Sequence, residues 1–209
     1  MKKYLIKKVF GPNIMGEGSL SGLGVIFVRF AGCNRWDSRK ETKKYSVCKF
    51  CDTDFSGGER LTAFEIVQKI EELKGNVSTI VLSGGEPTLQ IDDHLILEIK
   101  SKGYQLALET NGSKPLGILA NYFEHISMSP KQSFEETKLE WCNDIKILLP
   151  PISPEITTDK FSRFPCSRKY VQPVFGHDYQ ENLEQCISHV KNNRDWKLSL
   201  QIHKILGEE

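Results

Sequence analysis

Short apolar segments alternate with amphipathic segments over most of this chain. The pattern predicts eight β-strands, at residues 4–10, 25–30, 79–82, 105–108, 125–128, 145–149, 169–174 and 197–202. Amphipathic stretches lie between several of these strands, and two of them end at glycines, before Gly75 and at Gly103. Regular alternation of strand and helix predicts an α/β domain with a largely parallel sheet.

Three helix starts can be read from the residues that precede the amphipathic stretches. Thr62 and Glu65 have the spacing of a capping box. Asp92 or Asp93 is expected to cap the second helix, and Asp178 the third. No internal repeat or linker separates these elements, so we expect residues 1–209 to form a single domain.

Charge and hydropathy limit the classes of function. The chain has 28 basic and 27 acidic residues, a formal net charge of +1, which does not favour nucleic-acid or anionic-lipid binding. No apolar run approaches the ~18 residues of a membrane span. Lys7 and Lys8 interrupt the apolar start that a signal peptide would need. We therefore expect a cytoplasmic protein that binds neither nucleic acid nor membrane.

Glycine, acidic, amide and histidine residues follow the predicted strands. Such segments begin near Ala31, Ser83, Glu109 and Ser129, and the last predicted strand leads into His203. Ligands bind at the carboxyl ends of strands in parallel α/β folds. These segments therefore predict one composite site at that edge of the sheet.

Three of the six cysteines are clustered in sequence, with the spacing Cys33-x14-Cys48-x2-Cys51. Soft thiolates select zinc, copper(I) or an iron–sulfur cluster. A closed structural zinc site needs four ligands, and no histidine lies within this segment. The spacing alone leaves open an iron–sulfur cluster, an incomplete or catalytic zinc site, or coincidence.

The cysteine segment and the motif that follows it resemble the radical S-adenosylmethionine (SAM) superfamily. The resemblance rests on Phe50 between Cys48 and Cys51 and on Gly84-Gly85-Glu86 after the next strand. It implies a [4Fe-4S] cluster on Cys33, Cys48 and Cys51 that binds SAM and gives it one electron. It also implies a partial TIM-like β/α barrel. The usual spacing is CxxxCxxC, so the interval after Cys33 is longer than usual.

A set of motifs further resembles one family in this superfamily, the 7-carboxy-7-deazaguanine synthases. The motifs are Met15-Gly-Glu-Gly18, Arg29-Phe-Ala-Gly-Cys33, Cys51-Asp-Thr-Asp54, Ser83-Gly-Gly-Glu-Pro87, Glu109-Thr-Asn-Gly112, Ser129-Pro-Lys131, Val171-Gln-Pro173 and His203-Lys204. The resemblance implies conversion of 6-carboxy-5,6,7,8-tetrahydropterin to 7-carboxy-7-deazaguanine with loss of ammonia, for queuosine-type tRNA bases. The family usually has Gln at position 15 and Thr at position 83, where this chain has Met and Ser.

The same resemblance implies roles for individual residues. The SAM-binding set is Phe50, Cys51, Asp52, Gly84, Gly85, Glu109, Ser129, Pro130, Lys131 and Gln172. The substrate-binding set is Ile14, Met15, Gly16, Glu17, Arg29, Ser83, His203 and Glu209. Thr53 is implied as a ligand of Mg²⁺, a hard cation that prefers oxygen. The catalytic groups beyond the cluster and SAM are left open.

A basic run in the sequence bears on possible protein partners. Residues 39–44 form a basic run inside the cysteine segment. Such runs are usually solvated, and the functional alternative is docking of an acidic, flavodoxin-like electron donor. A homodimer is also expected. Two other functions stay open at this stage, an activase of a glycyl radical enzyme and a non-enzymatic zinc-binding module.

Overall fold

A computed structural model describes residues 2–208 and contains one nine-stranded sheet. The strands are β1 (Tyr4–Ile14), β2 (Gly24–Phe30), β3 (Glu59–Leu61), β4 (Thr79–Gly84), β5 (Gln105–Thr110), β6 (His125–Met128), β7 (Cys142–Leu149), β8 (Cys166–Pro173) and β9 (Trp196–Leu198). The helices are α1 (Lys40–Lys43), α2 (Ala63–Leu73), α3 (Asp93–Lys100), α4 (Tyr179–Asn192) and α5 (Ile202–Leu206). Short 3₁₀ turns complete the connections.

The sheet has the order β3-β1-β2-β4-β5-β6-β7-β8-β9. Strands β2 and β4 to β9 are parallel, and β1 is antiparallel to β2 and β3 at one edge. Among the described residues β3 and β9 do not pair with each other, so the barrel is partial. The expected α/β class and partial β/α barrel are confirmed.

All eight predicted strands are present, with two differences at the chain ends. Strand β1 continues beyond residue 10 to Ile14, past a shift in its register with β2. The predicted last strand, residues 197–202, is wrong in its second half. Strand β9 ends at Leu198 because its pairing with β8 ends at Val171, and α5 begins at Ile202. Strand β3 was not predicted, since its three residues carry no alternating pattern.

The helix caps agree with the sequence in two of three cases. The capping box is formed, with the Thr62 side chain accepting from Glu65 N and Glu65 accepting from Thr62 N. Asp92 caps α3 by accepting from Leu95 N. Asp178 precedes α4 as expected, but its side chain makes no capping hydrogen bond, so that prediction is wrong. Its carbonyl oxygen accepts from Asn182 N instead.

The alternation of residues along each strand separates the core from the site. One face of the sheet packs against the helices and carries buried apolar residues such as Ile26, Leu82 and Ile147. The intervening positions point to the opposite face. They include Val25, Val81 and Ala107, which form a small apolar floor with Met15, and further along the strands they become polar. Polar residues at the strand ends therefore point into the space that the partial barrel encloses.

The loop after β1 and the segment after β9 meet beside the open side of the barrel. Ile202 N donates to Gly16 O at 3.1 Å, and Gly18 N donates to Ser199 Oγ at 3.0 Å. The loop after β1 is also tied to β7, because Ser19 N and Oγ both donate to Asp144 Oδ2 at 2.7 Å. These contacts hold the segment that contains Glu17 over the carboxyl ends of the strands.

Within residues 2–208, no helix combines the length and the apolar character needed to cross a membrane.

Candidate functional site

A cavity of about 300 Å³ lies at the carboxyl ends of the parallel strands. Its volume is at the lower limit of the range typical of small-molecule sites. The site residues expected from the sequence that line it are Ile14, Met15, Gly16, Glu17, Arg29, Cys33, Cys48, Phe50, Cys51, Asp52, Thr53, Ser83, Gly84, Gly85, Glu109, Ser129, Lys131, Gln172 and His203. Pro130 is buried behind this wall and does not line it. Glu209 lies outside the described residues.

The three clustered cysteines share one wall of the cavity. Burial raises the pKa of the Cys48 thiol to about 11, although the positive charge of Lys131 opposes the shift. Burial also raises the pKa of Cys51, against a hydrogen bond from the Thr53 backbone. Within residues 2–208, no three His, Cys, Asp or Glu side chains meet the geometry of a single-ion site. The three thiols are near one another: negative charge on Cys33 helps to raise the pKa of Cys48 and Cys51.

The long interval after Cys33 folds over the cavity as a loop anchored by Trp36. The Trp36 ring meets Phe55 edge to face, with ring centres 5.5 Å apart, and its Nε1–H donates to Arg39 O and Thr42 Oγ1. Trp36 and Phe55 both line the cavity. The extra residues therefore form a wall of the site and also carry the basic run on their outer side.

The Gly84–Gly85 segment is pressed against the end of β2. Gly85 N donates to Phe30 O at 3.1 Å, and Glu86 N donates to Gly32 O at 2.9 Å. A Cβ at Gly84, where φ is +127°, would lie 2.2 Å from Phe30 O, and one at Gly85 would lie 2.0 Å from Gly32 O. Only glycine fits this close backbone approach beside Cys33.

Glu86 holds this segment from behind. It is fully buried, and its carboxylate accepts from Thr110 Oγ1 and from Asn111 N, both at 2.7 Å. It also accepts from Thr88 N and Oγ1. Glu86 therefore joins the ends of β4 and β5, and it leaves the backbone of Gly84 and Gly85 to face the cavity.

Lys131 extends across the wall next to the cysteines. Its Nζ donates to the Ser129 hydroxyl at 2.7 Å and to the Ser129 carbonyl at 2.8 Å, and it lies 5.9 Å from the centre of the Phe50 ring. Burial lowers the pKa of Lys131. The hydroxyl and ammonium groups together provide a site for a carboxylate.

A buried lysine bridges two carboxylates that also line the cavity. Lys146 Nζ lies 2.5 Å from Glu17 Oε2 and 2.8 Å from Glu109 Oε2, and the Lys146 side chain is only 2% exposed. Gln201 Nε2 donates to the other oxygen of Glu17 at 2.8 Å. The two carboxylates come from the loop after β1 and from β5, and Lys146 lies on β7.

Burial and charge act differently on the three groups. Burial works to raise the pKa of Glu17, but Lys146 and Gln201 outweigh it and hold the pKa at about 2. Burial and the charge of Glu17 raise the pKa of Glu109 despite Lys146. For Lys146, the two carboxylates outweigh burial and raise the pKa above its usual range. The cluster therefore carries one net negative charge when all three groups are ionised.

The remaining expected residues complete the rim. Arg29 lies on β2 with its guanidinium carbon 4.6 Å from the centre of the Phe10 ring, beside Ser83 in the strand register. Gln172 is buried and accepts from Ser199 Oγ at 2.8 Å. The His203 ring packs on Gly16, where an added Cβ would lie 1.8 Å from Nδ1. Burial lowers the pKa of His203.

The loop after Cys51 reaches the C-terminal helix. Asp52 forms an ion pair with Lys204, which also lies over the Phe175 ring. Asp54 accepts from Ser56 N and Oγ, as a turn-capping residue does. Thr53, between them, lines the cavity.

Comparisons with known proteins bear on this arrangement. Residues 44–161, more than half of the chain, match the sequence model described as the radical SAM superfamily. The chain is 33% identical to the 7-carboxy-7-deazaguanine synthase of Caulobacter vibrioides and 34% identical to that of Bradyrhizobium diazoefficiens, over 98% of both chains in each case. The chain belongs to the 7-carboxy-7-deazaguanine synthase family. The solved structure "Crystal structure of QueE from Escherichia coli" has the same fold, with a TM-score of 0.67 at 18% identity over 95% of this chain and 94% of that one.

The cavity fits the cluster and SAM that a radical SAM enzyme of this family uses. The three thiols on one wall are soft ligands. Because burial raises the pKa of Cys48 and Cys51, these two thiols must lose their protons when metal binds. The exposed backbone of Gly84 and Gly85 and the Ser129–Lys131 pair lie on the adjoining walls. Membership of a synthase family also decides against the activase and the zinc module as the main function.

Sequence reasoning missed several groups that line this synthase-family site. They include Lys146, Gln201, Trp36 and Asn111. Lys146 carried a readable signal, because it interrupts an apolar strand and lysine is rarely buried without a partner. Gln201 was expected at the end of the last strand, at the edge where the site lies, but its hydrogen bond to the distant Glu17 could not be inferred from the sequence.

Proposed function

We propose that this protein converts 6-carboxy-5,6,7,8-tetrahydropterin to 7-carboxy-7-deazaguanine and ammonia, in the route to queuosine-type tRNA bases. Family membership supports the proposal. The observation that carries it is that one cavity is lined both by the three thiols and by a carboxylate pair bridged by Lys146. A bicyclic substrate with ring N–H donors and a carboxylate has complementary partners there.

The thiol wall is the proposed side for the cluster and SAM. Cys33, Cys48 and Cys51 hold the cluster, and the backbone of Gly84 and Gly85 accepts the SAM amino group. When bound, these groups supply the one-electron chemistry that removes a hydrogen atom from the substrate. The other proposed contacts are Phe50 and Asp52 near the adenine, Ser129, Pro130 and Lys131 at the SAM carboxylate, Glu109 at the ribose, and Gln172.

The region around Glu17 is the proposed substrate subsite. Glu17 accepts hydrogen bonds from the amino-pyrimidine edge, since each carboxylate oxygen keeps acceptor capacity beyond its bond to Lys146 or Gln201. Arg29 and His203 offer positive or donor groups to the substrate carboxylate. The proposed contacts are completed by Ile14, Met15, Gly16, Ser83 and Glu209.

Three further features belong to the proposal. Thr53 supplies one oxygen to a Mg²⁺ ion that is completed by substrate and water oxygens. A flavodoxin-like donor docks on the basic run, whose Lys44 and Arg39 are exposed on the outer side of the cysteine loop. The protein acts as a single-domain homodimer in the cytoplasm.

The decisive experiment is product analysis under anaerobic conditions. Reconstituted protein given SAM, Mg²⁺, a reductant and 6-carboxytetrahydropterin should release ammonia and a compound with the mass of 7-carboxy-7-deazaguanine. Boiled protein and protein without reductant are the controls. Cluster-loaded protein that cleaves SAM but leaves the pterin unchanged would contradict the proposal.

A further inference from the structure

The bridging position of Lys146 is not explained by binding of either ligand alone. Its Nζ touches one carboxylate proposed for the substrate, Glu17, and one proposed for the SAM ribose, Glu109. The two carboxylates reach the lysine from segments far apart in sequence, the loop after β1 and strand β5. A single buried nitrogen thus joins the two proposed subsites.

We propose that Lys146 is a positioning residue that keeps SAM and substrate in register, by fixing the substrate-side carboxylate of Glu17 relative to the SAM-side carboxylate of Glu109. The inference rests on the proposed function above. Hydrogen-atom removal requires the reactive carbon of the cofactor and one C–H bond of the substrate to be close and aligned. A shared anchor between the two acceptors limits their relative movement.

The surroundings of Lys146 favour a fixed anchor over a mobile one. Asp144, two residues earlier on the same face of β7, is fully buried and holds the loop after Glu17 through Ser19. Gln201 holds the second oxygen of Glu17. Glu17 is therefore held from β7 and from the start of α5, whereas Lys146 is its link to Glu109.

The charge of Lys146 is needed for the same arrangement. Two carboxylates that share one nitrogen are necessarily close, and without the ammonium they would repel in a confined space. The other titratable groups that influence this cluster are His203 beside Glu17, His125 toward Glu109 and Lys131. A neutral residue at position 146 would therefore favour protonation of one carboxyl and release its side chain.

The test measures how tightly SAM consumption is coupled to product formation. In reconstituted Lys146→Met, we expect the amount of 5′-deoxyadenosine released per product to rise at least tenfold over the unsubstituted protein, with a higher KM for the pterin. The acidic limb of kcat/KM should move to higher pH, because loss of the ammonium raises the pKa of Glu17 and Glu109. Lys100→Met, which removes an ion pair to Glu124 outside the cavity, is the matched control and should change none of these quantities.

Lys146→Arg separates position from charge and serves if the methionine variant does not fold. The guanidinium keeps the positive charge but cannot occupy the same single-nitrogen position between two oxygens. We expect a folded protein that still releases excess 5′-deoxyadenosine. Gln201→Leu removes one hydrogen bond to Glu17 and leaves Glu109 unaffected. It should raise the KM for the pterin but change the ratio of 5′-deoxyadenosine to product less than the Lys146 variants do.

The outcomes distinguish this inference from the proposed function. If the unsubstituted protein makes no 7-carboxy-7-deazaguanine, the proposed function fails. If it makes the product and both Lys146 variants keep its coupling ratio and its pH profile, the positioning role is overturned. A loss of cluster content in Lys146→Arg equal to the loss in activity would assign the residue to folding and would also overturn the role.

Discussion

The cysteines lie in two kinds of surroundings, beside the proposed cluster site or elsewhere in the fold. Substitutions in the two groups are expected to have different effects. Cys33, Cys48 and Cys51 line the cavity, whereas Cys186 is fully buried on α4 against the apolar core. Cys186 has an ordinary packing role, and burial raises the pKa of its thiol to about 12. None of the six cysteines forms a disulfide, so the two groups differ only in their surroundings.

Replacing Cys33, Cys48 or Cys51 singly by Ala is expected to abolish SAM cleavage, because an iron of the cluster loses its protein ligand. Reconstituted protein should then contain well under half of the normal iron and lose the visible absorbance of the cluster. Cys186→Ala should keep both and lower the free energy of unfolding by about 1 kcal/mol. Cluster loss in Cys186→Ala with retention in Cys33→Ala would show that the ligands are wrongly assigned.

Thr53 gives a second prediction at the scale of one residue. Thr53→Ala removes a hydroxyl oxygen from the proposed Mg²⁺ site, so the Mg²⁺ concentration for half-maximal turnover should rise roughly tenfold or more, as for other losses around metal sites. SAM binding should change little, because Thr53 is not one of the proposed SAM contacts. Thr53→Ser, which keeps the oxygen, is the matched control. If the Mg²⁺ titrations of all three proteins superimpose, Thr53 is not a Mg²⁺ ligand and has only a structural role in the turn.

Some elements of the fold are determined by residues that are close in sequence, and others are determined by pairing with distant segments. The start of α2 is predictable, because its capping box uses residues three apart in sequence. The carboxyl-end location of the site also follows from strand order within a parallel sheet. The end of β9 is not predictable, since it depends on where pairing with β8 stops.

In the site, too, some features follow from residues close in sequence and others from contacts between distant segments. Motifs after the strands identify the segments that reach the cavity, because each segment is continuous in sequence. The bridge from Lys146 to Glu17 and Glu109 joins three distant segments, and nothing near Lys146 in sequence specifies its partners. Such a contact requires the curvature of the sheet to be known.

The capping box gives a prediction at the scale of a helix. Thr62→Ala removes the hydroxyl that accepts from Glu65 N, and it should lower the free energy of unfolding by about 1 kcal/mol. Chemical denaturation monitored by circular dichroism measures the change. Ser188→Ala, at an exposed position in the middle of α4, is the control and should change it by less than about 0.5 kcal/mol. Equal effects of the two substitutions would mean that the cap contributes nothing to stability.

At the scale of the whole molecule, the partial barrel depends on contacts across its open side. Strands β3 and β9 do not pair among the described residues, yet Ile202, Ser199 and Gln201 contact the loop that follows β1. The segment that follows β9 therefore acts as a closure beside the proposed substrate subsite. Its stability should influence substrate binding more than cluster binding.

The last five residues test this closure. Gly207, with φ of +74°, ends α5, and Glu208 N donates to His203 O at 2.8 Å, so the tail stabilises the helix that holds His203 against Gly16. Deleting residues 205–209 should raise the KM for the pterin at least severalfold while uncoupled SAM cleavage and iron content stay measurable. A C-terminal tag, which extends the chain beyond Glu209, a residue proposed for substrate binding, should raise the KM less because α5 is kept. The same tag at the N-terminus is the control, and unchanged turnover at low substrate in both C-terminal variants would assign the tail to solvent.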